Sequence, residues 1–500
     1  MLNNSLPEYI FIRTFIIIFH SIGPLCTAYT VTLARRVHLQ KDATHPPLRR
    51  REERRALFDK VRSEIHDPRK FIEGWFRGAK IEDIGRAELK DFLSWAFWEG
   101  RNGKEDEDEL EDLVLETEQL VNHKFTSGNG KATSIRLTLD PIEMECRSLL
   151  WYTIIMLVDT ICHARLLWSG HKYYMTMASA LRVFPPRPLA ALTASGISPA
   201  KVSGYWLRPH TSTTRLPVVF LHGIGIGLYP SVSFLQALDY GLNHDAADDD
   251  KVGILSLEQL SISNRLTHAI PKRAESLKQI TQILDYHGFH KFVLVGHSFG
   301  SVLSTHILNY PPLASRVAST LLMDPVTILL HMPDVAYNFT ARKPKSANEW
   351  QLFYFASRDP MVAHTLGRHF FWSENLLWRE RITELVQRGL RMTVSLARRD
   401  LIVDTAAVGT YLTEGGIPDP VMVKDDNHGD GYHMELDVQR KNKNNRNRSE
   451  KQDDWRKRLW TGKKGLEIIW WDELDHAQVF NAESTRRKLV DVVVEYVRGK

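Results

Sequence analysis

Residues 292–300 read Phe-Val-Leu-Val-Gly-His-Ser-Phe-Gly, and the helical sequence SVLSTHILNY follows at once. Four consecutive apolar residues without polar alternation mark a strand buried on both faces. Only Gly296–Gly300 separate that strand from the helix, so the chain must turn sharply between them. Glycine at both flanks provides the room, and Ser298 at the apex is then held on strained backbone above the end of the strand. The same rhythm recurs from residue 200 onward. VSGYWLRP, LPVVFLHG, VGILSLEQLSI, STLLMDPV, RMTVSLARRD and LEIIWW read as strands, while AESLKQITQILDYHGF and ESTRRKLVDVVVEYV read as helices. Short apolar strands alternating with helices specify an α/β fold, a mainly parallel sheet with helices on both faces.

Composition narrows the rest. The chain has 500 residues, of which 43% are hydrophobic and 25% charged, which excludes a disordered chain, a fibre and a polytopic membrane protein. Three cysteines, Cys26, Cys146 and Cys162, form no CxxC pair, so neither a disulfide framework nor a structural zinc site is expected. The net charge of +5 is mild, and no nucleic-acid partner is expected.

The charge is uneven along the chain. Thr14–Ala34 is a run of 21 residues without Asp, Glu, Lys or Arg, long enough to cross a bilayer as a helix. Arg35–Arg62 then holds ten Lys/Arg against four Asp/Glu, which places everything after residue 35 in the cytosol. The expectation is a single-pass anchor over 1–34, with a cleaved signal peptide as the rival. A basic juxtamembrane linker over 35–70 is expected to meet anionic headgroups. A helical region follows over 71–199, in which the acidic run Glu105–Asp112 is a solvated surface. The apolar stretch Leu149–Trp168 contains Asp159 and Arg165. Two charges are costly in a span, so it reads as an amphipathic or buried helix covering the domain from 200 to 500. Two insertions interrupt that domain, an aromatic one at 327–390 and a polar loop at 413–460.

A second motif fits the first. Phe220-Leu-His-Gly-Ile-Gly-Ile-Gly227 also ends an apolar strand. A phosphate cradle would need a G-K-[ST] sequence after it, and none follows. A tetrahedral acyl intermediate needs two N–H donors, and Phe299 and Ile224, just after His222 and Gly223, are the candidates. With HGIG, then GHSFG, the chain resembles the α/β-hydrolase superfamily over about 200–500. The resemblance implies an order of serine, acid, histidine, with Ser298 as nucleophile on the elbow formed by Gly296 and Gly300. It implies Asp400 in RRDLIVD as the acid, with Asp404 and Asp324 (in LLMDPV) as alternatives. It implies His476 in WWDELDHAQVF as the base, ahead of His428 and His433 in the polar insertion. The 413–460 insertion accounts for the 76 residues between Asp400 and His476. The 327–390 insertion falls where this fold carries its helical cap. Ser298 in place of Asp sets aside epoxide hydrolases and dehalogenases. The absence of H-x4-D near His476 argues against one acyltransferase branch, and Ser301 departs from the proline iminopeptidase pattern. The run GWFRGAKIEDIGRAELKDFLSWAFW is similar to a segment of membrane-anchored fungal hydrolases.

The expected function is a membrane-anchored serine hydrolase that cleaves carboxylic esters, lipid or other apolar acyl esters, with no cofactor and no metal. An acyltransferase or thioesterase with the same residues is the alternative, and an inactive hydrolase-fold scaffold is a third. Neither oligomeric state nor organelle follows from the sequence.

Overall fold

The computed structural model of the protein describes residues 34–414, 422–424, 432–434 and 455–499. The expected anchor lies outside them except for Ala34, as does most of the 413–460 insertion.

In chain order the strands are β1 (Lys172–Met175), β2 (Gly196–Ile197), β3 (Tyr205–Arg208), β4 (Val218–Leu221), β5 (Ile254–Leu257), β6 (Phe292–His297), β7 (Val317–Met323), β8 (Arg391–Ala397), β9 (Met422–Lys424), β10 (Tyr432–Met434) and β11 (Leu466–Trp471). Among the described residues nine form one sheet in the order β11-β8-β7-β6-β4-β5-β3-β1-β2, while β9 and β10 pair with each other. From β5 through β4, β6, β7 and β8 to β11 every neighbouring pair is parallel. β3 runs antiparallel to β5 and to β1. The central strands are apolar throughout because both faces are covered: all residues of β4, β5 and β6 are buried. The sheet begins earlier than residue 200. Tyr173 of β1 pairs with Trp206 of β3, so 172–197 belong to the sheet rather than to the helical region before it.

Twelve helices matter here. The helical region contributes α1 (Arg51–Glu64), α2 (Pro68–Trp75), α3 (Arg86–Leu93), α4 (Glu107–Val121) and α5 (Leu149–Trp168). The α/β part contributes α6 (Val232–Asn243), α7 (Arg273–Tyr286), α8 (Gly300–Leu308), α9 (Pro360–His369), α10 (Arg379–Gln387), α11 (Thr405–Thr413) and α12 (Glu483–Val497). One face of the sheet packs on α7 and α8 through residues such as Leu277, Ile280 and Ile307. The other packs on α6 and α12 through Leu235, Leu238, Leu489 and Val493. A third core, rich in aromatics such as Trp75, Phe92, Trp95 and Trp98, holds α1–α4 together and takes in Ala336 of the 327–390 insertion.

Two segments differ from the sequence expectation. Residues 51–64 are helix α1 rather than linker, and its arginines reach carboxylates at 106–116, although Arg51 and Arg62 stay exposed. Arg54 pairs with Asp106 at 2.9 Å and donates to Glu109, while Arg62 donates to Glu116 at 2.7 Å. The acidic run is accordingly pinned in part, and Glu109 is buried rather than solvated. The second difference is α5. Ser148 caps its N-terminus by accepting from the Trp151 amide. Its charges point inward: Asp159 lies 3.0 Å from both Arg187 and Arg265. Arg187 in turn reaches Glu258 at 2.6 Å. An isolated carboxylate in hydrocarbon costs about 2.5–3.5 kcal/mol, and two guanidinium partners remove that obstacle. The helix covers the fold as expected, but with its polar side on the protein.

Candidate active site

The turn after β6 is built from close contacts. Ser298 has φ 50°, in the left-handed region that a side chain seldom adopts. Its amide donates to the Met323 carbonyl of β7 at 2.9 Å, and Ser301 Oγ donates to the Ser298 carbonyl at 2.6 Å. Gly296 and Gly300 are required for space. A Cβ on Gly296 would overlap Ser304 Oγ, and one on Gly300 would overlap the Leu221 carbonyl of β4. Helix α8 can therefore start directly at the end of the strand, with the positive end of its dipole at Ser298.

His476 lies in the loop after β11. Its Nε2 is 2.8 Å from Ser298 Oγ and its Nδ1 is 2.7 Å from Asp400 Oδ2. A carboxylate only accepts, so Nδ1 carries the proton and Nε2 is left to accept from the serine hydroxyl. Asp400 follows β8, and its side chain is wholly buried. Its other oxygen accepts the amides of Ile402 at 2.8 Å and Val403 at 3.0 Å. Every lone-pair direction that matters is thus engaged, and the carboxylate cannot swing away.

The alternatives find other places. Asp324, at the end of β7, accepts the Ala477 amide at 2.9 Å and does not reach the His476 ring by hydrogen bond. Asp404 caps α11 by accepting from the Ala407 amide at 2.9 Å. His433 is in β10, opposite Val423 in the separate two-stranded sheet, and His428 lies outside the described residues.

Asp475 had no sequence signal beyond its place next to His476, yet it ties the two loops together. Its Oδ1 accepts the amides of His476 at 2.7 Å and Leu401 at 3.0 Å. His476 therefore stands among three carboxylates. Burial opposes charge on its ring, but Asp400, and then Asp324 and Asp475, outweigh burial and push it up to about 9. Burial pushes the Asp324 carboxyl up to about 7, against the pull of His476. His297 beneath them is driven the other way, well below the usual histidine range, by burial and by the His476 and His222 rings. It stays neutral and packs edge-on against Phe480, with ring centres 4.7 Å apart.

The Gly223 loop closes over this constellation. A Cβ on Gly223 would stand 2.8 Å from the Ser298 Cβ, so the loop's glycine is what permits the approach. His222 fixes the loop from behind: its Nδ1 donates to the Gly223 carbonyl at 2.7 Å and its Nε2 accepts the Gln259 amide at 3.0 Å. Among the described residues neither the Ile224 nor the Phe299 amide has a backbone acceptor. Both residues line the pocket above Ser298.

That pocket spans about 570 Å³, the open space at its mouth included, and is almost entirely apolar. Phe339, Phe370 and Trp372 of the 327–390 insertion form part of its wall. The WQLFYF run of the same insertion does not; its Tyr354 and Phe355 are half-exposed and pack on Trp151 of α5. Trp75 and Leu137 of the helical region, to which the sequence assigned no chemistry, also line it. A second apolar pocket, spanning about 560 Å³ with the open space at its mouth included, shares Trp75 and Trp372 with the first. Among the described residues no cluster of three or more His, Cys, Asp or Glu side chains is arranged to hold a metal ion.

Residues 218–480 match a family model described as the alpha/beta hydrolase family. No curated protein matches the chain in sequence. Solved structures that it resembles include a bacterial membrane phospholipase A, at 9% identity over 69% of this chain and 94% of that one, with a TM-score of 0.36. Naproxen esterase from Bacillus subtilis matches at 11% identity over 67% of this chain and 96% of that one, also with a TM-score of 0.36. Carboxylesterase CesB from the same organism matches at 8% identity over 67% and 98% of the two chains, with a TM-score of 0.34.

Proposed function

The chain belongs to the alpha/beta hydrolase family, and from that premise we propose that it is a membrane-anchored serine hydrolase cleaving carboxylic esters with apolar acyl groups. The observation that carries this reading is the unbroken run from Ser298 Oγ through both nitrogens of His476 to Asp400, at the floor of an apolar pocket. Ser298 Oγ attacks the ester carbonyl while His476 Nε2 takes its proton. The oxygen that becomes negative is held by the Ile224 and Phe299 amides. His476 then gives the proton to the departing alkoxide, leaving the acyl group on Ser298. Water enters, loses a proton to His476 and attacks the acyl carbon, which releases the acid and restores the serine. Asp400 keeps the ring in the one tautomer that serves both halves and stabilises it when charged.

The substrate class rests on the pocket wall, and the anchor rests on Thr14–Ala34 with the basic residues after it. An apolar wall gives an acyl chain contact area and gives a charged or sugar-like group no partner. Activity on a series of p-nitrophenyl esters tests this, read as acid released. The expected result is hydrolysis that rises from acetate toward longer acyl chains and is lost in Ser298→Ala. Trp372→Ala joins the two apolar cavities and should move the preferred chain length upward by several carbons, at about tenfold in relative kcat/KM. A preference for acetate, or a length optimum unmoved by Trp372→Ala, would contradict the assignment of the pocket.

A further inference from the structure

The outward face of α5 carries hydrocarbon. Leu150, Ile154, Leu157, Ile161, Ala164 and Trp168 are exposed, at helical spacing along its whole length. Thr153 and the terminal Trp168 are the exposed side chains on this face with a polar atom, and the Thr153 hydroxyl is turned onto the Leu149 carbonyl at 3.0 Å. The charged residues take the opposite side. Asp159 meets Arg187 and Arg265, and Arg165 donates to Gln236 at 2.6 Å. A helix that faces water is built the other way round, so this one is built for an apolar medium.

Its position in the fold says which medium. The 33 residues ahead of Ala34 contain an apolar run long enough to cross a bilayer, and the described chain starts beside α5. Leu266 packs against the cluster that holds Leu39, just after that start, and against the cluster of Trp151, Tyr152 and Ile155 in α5. The stripe also borders the candidate active site. Ile226, two residues after Ile224, packs against the cluster that Trp151, Tyr152 and Ile155 of α5 form. At the same end the exposed Tyr354 and Phe355 pack on Trp151 and continue the apolar face.

We propose that the outer face of α5 rests in the acyl region of a lipid bilayer as an in-plane contact, and so holds the Ile224 loop at the membrane surface. The proposal rests on the anchor reading of residues 14–34 and is independent of the esterase reading. With the esterase reading added, the membrane is both the attachment and the reservoir from which an apolar ester reaches Ser298.

The test uses the full chain with Cys26→Ser and Cys146→Ser, reconstituted with phosphatidylcholine vesicles. An NBD fluorophore is placed at Leu157→Cys or Ile161→Cys, and at Tyr286→Cys on α7, across the sheet, as control. Co-sedimentation is read first, and protein that stays out of the vesicles overturns the anchor reading and this proposal together. For sedimenting protein, the expected result is blue-shifted emission at 157 and 161 that is lost when nitroxide-labelled phosphatidylcholine is included, with no change at 286. Emission at 157 and 161 that resists the nitroxide lipid overturns the proposal alone. At the wavelength of wet NBD, such emission means that the face meets water. Blue-shifted, it means that residues 14–34 or a second copy of the chain cover the face.

Discussion

Two neighbouring strands of the sheet, β7 and β8, each end beside the His476 loop with a buried aspartate. Asp400, after β8, turns one oxygen to the His476 ring at 2.7 Å and is held by two amides. Asp324, after β7, holds only the Ala477 amide, and its other oxygen has no partner among the described residues. The difference lies in what supports each carboxylate. Two amide donors hold Asp400 in place, so it can orient a proton-shuttling ring. Asp324 is surrounded by the same low-dielectric interior with one donor, and burial drives it toward its neutral form. A carboxylate at the mouth of a strand is thus assigned to the ring or to the backbone by the loop after it, not by the strand.

Substitutions can break that comparison, and the largest effect is expected at Asp400. Asp400→Asn keeps the shape but presents an amide that can hold the wrong tautomer, and kcat for ester hydrolysis should fall by about 10⁴-fold. A fall of tenfold or less would return the role to Asp324. Asp324→Asn should leave kcat within about tenfold, because the Ala477 amide keeps an acceptor. Its signature is in the pH profile. His476 works as a base only when neutral, so kcat/KM rises with pH through its pKa, which the surrounding carboxylates raise. Removing one of them takes away part of that rise, and the ascending limb should move to lower pH; a limb that stays in place or moves up would show that Asp324 does not act on the ring. The smallest effect is at Asp404. Asp404→Ala removes the cap of α11 and should cost about 1 kcal/mol in urea unfolding with no change in kcat, pH limb included.

Much of this site was legible in the sequence because it sits on short, strongly patterned pieces. FVLV ahead of GHSFG placed Ser298, and the loop after LEIIWW placed His476, since a buried strand followed by glycine or a polar turn has few readings. For the acid the resemblance pointed to Asp400 and left Asp324 and Asp404 as alternatives. All three follow strands or open helices, and which one reaches the ring depends on long-range contacts such as Asp475 with Leu401. The Trp75 and Leu137 wall was illegible for the same reason, being far in sequence from every motif. The direction of α5 was missed because composition records that a helix has two charges, but not that Arg187 and Arg265 wait on the protein side to receive one of them. The start of the sheet was missed because KYYM is too short to stand out from the helices around it.

The central claim is that Ser298, activated by His476, is a working nucleophile. A fluorophosphonate probe tests it most directly, because it bonds covalently to a serine only when that serine is activated. Membranes carrying the full chain should label strongly at its mass, and Ser298→Ala and His476→Ala should each abolish the signal while the protein level and unfolding midpoint are kept. Wild-type protein that stays unlabelled, or Ser298→Ala protein that still labels, would contradict the account.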